Sequence, residues 1–207
     1  QQIKSNCIVA STEIPGNVQM VNVANQLNIP HYVLDYEDRF KSEVINDFVK
    51  SYGSGITPIP CIRCNERIKF RDLLKTSQEL GANCLVTGHY VRLLRTHNRL
   101  ELHSAIDKNR DQSYFLFATT YEQLGFLNFP LGDLSKNETR RIAEKYHLPV
   151  ASKPDSQDIC FVPDGNYART IEMLQPGAGE PGNIVLENGT VVGKHSGVIK
   201  FTVGQRH

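Results

Sequence analysis

Asn83-Cys84-Leu85-Val86-Thr87-Gly88-His89-Tyr90 reads as a short apolar strand that runs out into a glycine and a histidine. The run over 83–87 has strand length, and a glycine at a strand end lets a ligand approach the backbone. Upstream, Ile68, Leu73, Leu74 and Leu80 mark a helix, with Asn65 as its candidate cap and Gly81 closing it. Phe40, Val44, Ile45, Phe48 and Val49 mark another, stopped by Gly53 and Gly55. Before it come a strand over 31–36, a helix on Val18, Val21, Ala24 and Leu27 ending near Asn28, and a strand over 7–10. Strands alternating with helices predict a parallel α/β sheet. Ligands of such sheets sit beyond the carboxyl ends of the strands, where Thr87-Gly88-His89 lies.

Downstream the pattern changes. Residues 90–95 and 100–103 predict a hairpin. Ser135 and Glu138 form an S-x-x-E capping box ahead of Ile142 and Ala143. Asp164 is the candidate cap of a short helix over 167–174. Past the Pro/Gly-rich stretch at 176–182, a hairpin over 183–192 turns at Asn188-Gly189, and 199–203 predicts one more strand. Two or three strands make a poor independent unit, so a C-terminal β domain cut short is expected. The expected organisation is an α/β domain over 1–107, a central region over 108–176 and the start of a β domain over 177–207.

The 207 residues, 40% hydrophobic and 22% charged, exclude collagen-like and wholly disordered chains. A net charge of +1 excludes a whole-chain basic field, although Arg63, Arg67, Lys69 and Arg71, and again Lys108 and Arg110, cluster locally. No apolar run approaches the roughly 18–20 residues of a membrane span, and Gln1-Gln2-Ile3-Lys4 begins no secretory signal. A cytoplasmic protein without membrane contact is expected.

Five cysteines without a signal peptide argue against a disulfide framework. Cys7 and Cys84 sit in apolar runs and are expected in the core. In Pro60-Cys61-Ile62-Arg63-Cys64-Asn65, Cys64 would precede a helix N-terminus, where dipole and arginine charge favour a thiolate. The same C-x-x-C also fits half of a structural zinc site, but a second C-x-x-C is missing; a thioredoxin-like dithiol is a further alternative. Cys160 ends the polar stretch Lys153-Pro154-Asp155-Ser156-Gln157-Asp158-Ile159 and suits a loop over a cleft. Asn109-Arg110-Asp111-Gln112-Ser113-Tyr114-Phe115 offers groups suited to phosphate, base edge and ring stacking, or simply a solvated helix start.

Taken in order, residues 60–70, Thr87-Gly88-His89-Tyr90, 110–115, 155–161 and the closing Gly204-Gln205-Arg206 resemble the tRNA-specific 2-thiouridylase family. The resemblance runs from about Val18 to the end. It implies a Rossmann-like adenine-nucleotide α-hydrolase (PP-loop) parallel sheet, a small mixed central domain and the start of a β-barrel. It implies ATP-dependent conversion of the tRNA wobble uridine to 2-thiouridine, through an adenylated uridine and a cysteine persulfide. Cys64 and Cys160 resemble the catalytic and persulfide-carrying cysteines, which a disulfide would join after turnover. Ala10 and Gly88 resemble nucleotide-binding positions. Ile59, Pro60, Cys61, His89, Arg110, Asp111 and Gln112 resemble tRNA-binding ones. The implied partners are tRNA, ATP with Mg2+ and a persulfide sulfur donor.

Two departures stand out. Cys61 occupies a place often acidic in the family, so Cys61, Cys64 and Cys160 could instead hold an iron–sulfur cluster. The family's Ser-Gly-Gly-x-Asp-Ser loop is missing after Ala10, where Ser11-Thr12-Glu13-Ile14-Pro15-Gly16 follows. The expectation is that residues are omitted after Ala10; regular Cα steps of about 3.8 Å from Ala10 to Val18 would overturn it. Rival readings are a non-catalytic tRNA-binding relative and a thiol oxidoreductase.

Overall fold

A computed structural model describes residues 9–11, 18–153, 158–162 and 164–205. In chain order its elements are β1 (Val9–Ser11), α1 (Val18–Gln26), β2 (His31–Val33), α2 (Glu37–Phe40), α3 (Asn46–Gly53), α4 (Pro60–Arg63) and α5 (Leu74–Glu79). Then follow β3 (Leu85–Val86), β4 (Val91–Arg95), β5 (Leu100–Ser104), α6 (Tyr121–Phe126), β6 (Leu127–Asn128), α7 (Lys136–Lys145), α8 (Tyr167–Leu174), β7 (Gly182–Val185) and β8 (Val191–His195). Wide π-helical turns fill Lys41–Ile45 and Cys64–Leu73, and 3-10 turns fill Ser113–Leu116 and Val198–Lys200. These elements form two compact units, one within Gln1–Arg39 and Cys64–Pro154, the other within Phe40–Arg63 and Asp155–His207.

In the first unit the parallel pairing predicted from the α/β pattern is present, as β1 with β2 and β3 with β6. Among the described residues these remain separate two-stranded ladders rather than one continuous sheet. Helix α1 ends as read: Asn28 turns left-handed at φ 52° and Ile29 N donates to the Ala24 carbonyl at 2.9 Å. Strand β2 stops short of residue 36, because Asp35 Oδ1 accepts from Glu37 N at 3.0 Å and starts a helix there. The hairpin forms as β4 and β5, with Val91 opposite Ser104. The capping box of α7 is reciprocal as predicted. An equivalent box at Thr120 and Gln123 starts α6 and was legible as T-x-x-Q, yet was not among the predicted elements. Phe70, Leu74, Val91, Leu116, Leu124, Leu127 and Phe129 make the core. A Cβ at Gly132 would collide with the Val91 carbonyl, so glycine lets that loop close on β4.

The second unit packs α3 and α8 around Phe48, Val49, Tyr52, Val162, Ile171 and Ile199. Asn166, not Asp164, caps α8: its side chain accepts from Arg169 N at 3.0 Å. Asp164 Oδ1 instead accepts from Asn166 N at 3.1 Å, and Gly165 turns between them at φ 66°. The Asn188-Gly189 hairpin forms as β7 and β8. The strand predicted over 199–203 does not form; a 3-10 turn at Val198–Lys200 drives Ile199 into the core instead. Cys7 and the segment 12–17, where the test of an omitted loop falls, lie outside the described residues.

Candidate active site

Helical backbone begins at Pro60, a residue whose fixed φ suits a first helical position. Asn65 therefore lies inside the helical run rather than capping it, and Cys64 sits past the first turn, where the dipole fades. The N-terminal position expected of Cys64 belongs to Cys61, which is exposed; Pro60 is buried and Ile59 exposed. Asn65 is 3% exposed, and its Nδ2 donates to the Phe115 carbonyl at 3.1 Å. Its Oδ1 is buried without a hydrogen-bond partner among the described residues. Cys64, beside it, is half-buried. The nearby basic cluster is partly neutralised: Arg71 and Arg39 reach Asp72 at 2.8 and 2.9 Å, and Arg63 reaches Asp47 at 3.6 Å.

Beyond β3, Thr87 N donates to the Asn128 carbonyl at 3.0 Å, so the strand end is fixed by β6. Among the described residues Gly88 is not one of those with positive φ. A Cβ there would meet only Leu131 Cδ1, at an ordinary 3.7 Å. Neither backbone conformation nor crowding thus demands glycine at 88; the missing side chain leaves backbone accessible at the strand end. His89 Nδ1 and Thr87 Oγ1 share a hydrogen bond of 2.7 Å, and the Phe70 ring packs edge-on at 5.9 Å. Burial, reinforced by the Lys69 charge, pushes the imidazole down to about 3, so it is neutral at physiological pH.

Gln112 is clamped to the residue after His89. Its Oε1 accepts from Tyr90 N, and its own N donates to the Tyr90 carbonyl, both at 2.9 Å. Asp111 Oδ1 accepts from Ala105 N at 2.8 Å and Oδ2 from Ser113 Oγ at 2.6 Å. Desolvation raises the Asp111 carboxyl, but those hydrogen bonds and the Lys108 charge outweigh it and hold its pKa below the ordinary value. Asp111 and Gln112 are thus engaged in building the loop, and Arg110 is the exposed member of the triplet.

In the second unit Cys160 is exposed on a loop whose neighbours are anchored. Val162 is fully buried, and the Phe161 ring meets Phe40 and Phe48 edge-on at 5.8 and 5.2 Å. Tyr167 Oη donates to Asp158 Oδ1 at 2.5 Å. That bond, with lesser contributions from burial and neighbouring groups, pushes the Tyr167 phenol up to about 12. Sequence reading missed Thr87, Asp158 and Tyr167 as supports; nothing in a local pattern marks a contact between residues nine apart in a loop and a helix. A cleft of about 340 Å³ lies beside this region, between Tyr52, Tyr167 and Lys200.

The structure joins Tyr90, the residue after His89, to Gln112, and Asn65 to Phe115, all in the first unit. Ala10 is mid-strand there, opposite Tyr32. Ile59, Pro60, Cys61 and Cys160 belong to the second. Cys84, expected in the core, is half-buried. The disulfide implied between Cys64 and Cys160 is not formed in this structure. Among the described residues no group of three or more His, Cys, Asp or Glu side chains is placed to hold a metal, so the alternative of a cluster on Cys61, Cys64 and Cys160 finds no assembled site. No described helix is long and apolar enough to cross a membrane.

The profile of the tRNA methyl transferase HUP domain matches residues 3–164, and that of the tRNA methyl transferase PRC-barrel domain matches 173–207. The chain is 61% identical over 184 residues to the tRNA-specific 2-thiouridylase MnmA of Rickettsia felis, across 89% of this chain and 50% of that protein. The chain belongs to the tRNA-specific 2-thiouridylase family. It is similarly 62% identical over 185 residues to two other members. These are the enzymes of that name from Hyphomonas neptunium and Dinoroseobacter shibae, in each case across 89% of this chain. The alignments cover 47% and 48% of those two proteins, so the chain spans about half the length of the curated relatives it matches. The HUP-type match fits the parallel strand pairs of the first unit, and the PRC-barrel match fits the β7–β8 hairpin.

Proposed function

We propose that this chain carries the catalytic part of a tRNA-uridine 2-sulfurtransferase acting in the cytoplasm. The observation that carries the reading is that Cys64 and Cys160 both fall within residues 3–164, the span matched by the family profile. The uridine O2 attacks the α-phosphorus of ATP, pyrophosphate leaves, and a poor leaving oxygen becomes a good one. A persulfide on Cys160, loaded by a sulfur-donor protein, is the sulfur source. Its terminal sulfur attacks C2 and AMP departs. The Cys64 thiolate then attacks the Cys160 sulfur of the resulting Cys160–S–S–C2 adduct; the S–S bond breaks toward the uridine, leaving 2-thiouridine and a Cys64–Cys160 disulfide. Alternatively Cys64 attacks the persulfide first and releases sulfide, which adds to C2. A reductant restores both thiols in either route.

In this reading residues 1–107 form the nucleotide domain on a PP-loop sheet, 108–176 the tRNA-contacting region and 177–207 the start of a barrel. Gly88, together with Ala10 at β1, borders ATP and its Mg2+. A neutral His89, held through Nδ1, offers Nε2 to the target base. Ile59 and Cys61 border that base, with Pro60 buried between them as their support. Arg110 meets phosphate, and Asp111 and Gln112 hold it in place. The test incubates full-length protein with unmodified tRNA, ATP and a persulfide donor. AMP release and thiolated tRNA, both lost in Cys64→Ser and Cys160→Ser, support the reading. Undiminished product in either variant overturns it.

A further inference from the structure

Three residues past Arg110, the chain turns in a 3-10 conformation over Ser113–Leu116. Side chains three apart share a face in that geometry, which places Tyr114 and Phe117 side by side. They are 61% and 68% exposed, while Leu116 between them is 1% exposed and sits in the core. The two rings lie 6.3 Å apart at 51°, tilted rather than stacked on one another, and the Phe115 ring meets Tyr114 at 5.8 Å in a T-shaped contact, so the exposed rings are held as one aromatic group. The turn itself is rigid. Asp111 holds Ser113, Leu116 fills the core, and the Phe115 carbonyl accepts from Asn65, the residue after Cys64. Lys108 and Arg110, both exposed, supply positive charge at the start of the same loop.

We propose that Tyr114 and Phe117 form a stacking platform for an unpaired base of the tRNA anticodon loop, next to the wobble uridine. The inference rests on the tRNA reading above and adds to it a surface that reads single-stranded RNA. Planar rings on a fixed frame, in a loop that starts with cationic side chains, match unstacked bases and their phosphates. A duplex keeps its bases stacked inside and offers nothing to the platform. The hydrogen bond from Asn65 places the platform against the helix that carries Cys64, so a base stacked there adjoins that helix.

The experiment measures binding of full-length protein to an unmodified anticodon stem-loop RNA and to an RNA duplex of equal length, by fluorescence anisotropy. Tyr114→Ala and Phe117→Ala should each weaken stem-loop binding about ten-fold and leave duplex binding unchanged. Phe117→Tyr and Tyr114→Phe, which keep a ring, should bind as the parent does, and Phe117→Leu should behave like Phe117→Ala. Equal stem-loop affinity for parent and alanine variants overturns the platform alone. Equal losses on both RNAs also overturn it, since they mark a general charge or folding effect. A lowered melting temperature with unchanged stem-loop binding assigns the rings to a contact with the rest of the polypeptide and overturns it too. Failure of the parent to bind the stem-loop overturns the tRNA reading and the platform with it.

Discussion

Cys64 and Cys160 differ in what holds them. Cys64 lies in helical backbone, at the first residue of the wide π-helical stretch, half-buried, beside an asparagine whose amide reaches fifty residues along the chain to the Phe115 carbonyl. Cys160 is exposed, in a loop without regular structure, and is held by its neighbours: a phenylalanine wedged among aromatic rings on one side, an aspartate bonded to a tyrosine on the other. A helix fixes its cysteine through backbone hydrogen bonds. A loop fixes its own only through side chains. The two thiols should therefore fail in different ways.

The largest effect should erase the contrast. Cys64→Ser and Cys160→Ser should each lower thiolation about a thousand-fold or more, read as 2-thiouridine by mass spectrometry, with unfolding midpoints unchanged. The supports should restore the contrast. Phe161→Ala removes a ring packed on Phe40 and Phe48 and should cost about 2–3 kcal/mol in denaturant unfolding. Asn65→Ala leaves the Phe115 carbonyl without that donor and should cost about 1–2 kcal/mol.

A third test uses pH. His89 has its folded value near 3 against an ordinary 6.5, so folding favours the neutral ring. The stability this contributes is complete above about 6.5 and is lost as pH falls toward 3. Melting temperature should drop through that window, beginning before the carboxylates titrate, and His89→Gln should flatten the early part of the drop. The smallest effect lies at the loop. In Asp158→Asn the Tyr167 phenol should titrate below its parent value of about 12, followed by ultraviolet absorbance. An unchanged phenol would mean that the Asp158 bond does not anchor the Cys160 loop.

Local signals carried much of this. The Ser135 box, the Asn188-Gly189 hairpin and the β4–β5 pair are written in adjacent residues, and each formed where it was read. Asn65 was misread because a cap and a buried helical asparagine look alike until Pro60 is seen to start the helix. The β6 strand has only Leu127 and Asn128, too few for any periodicity, yet it fixes the end of β3. Residues 199–203 have strand composition, but tertiary packing of Ile199 prevailed over it. The candidate site was legible as an ordered set of short motifs. What was hidden is that the side chains of Asp111 and Gln112 accept from backbone N–H groups, because such a bond shows only when its donor, a turn away or tens of ångströms of chain away, is known.

Gly88 has an evolutionary and practical corollary. Since an alanine there would strain no dihedral and meet Leu131 at an ordinary separation, the variant should express, crystallise and melt like its parent. Screens for solubility or thermal robustness are blind to such a lesion; a nucleotide titration is the kind of measurement that would see it.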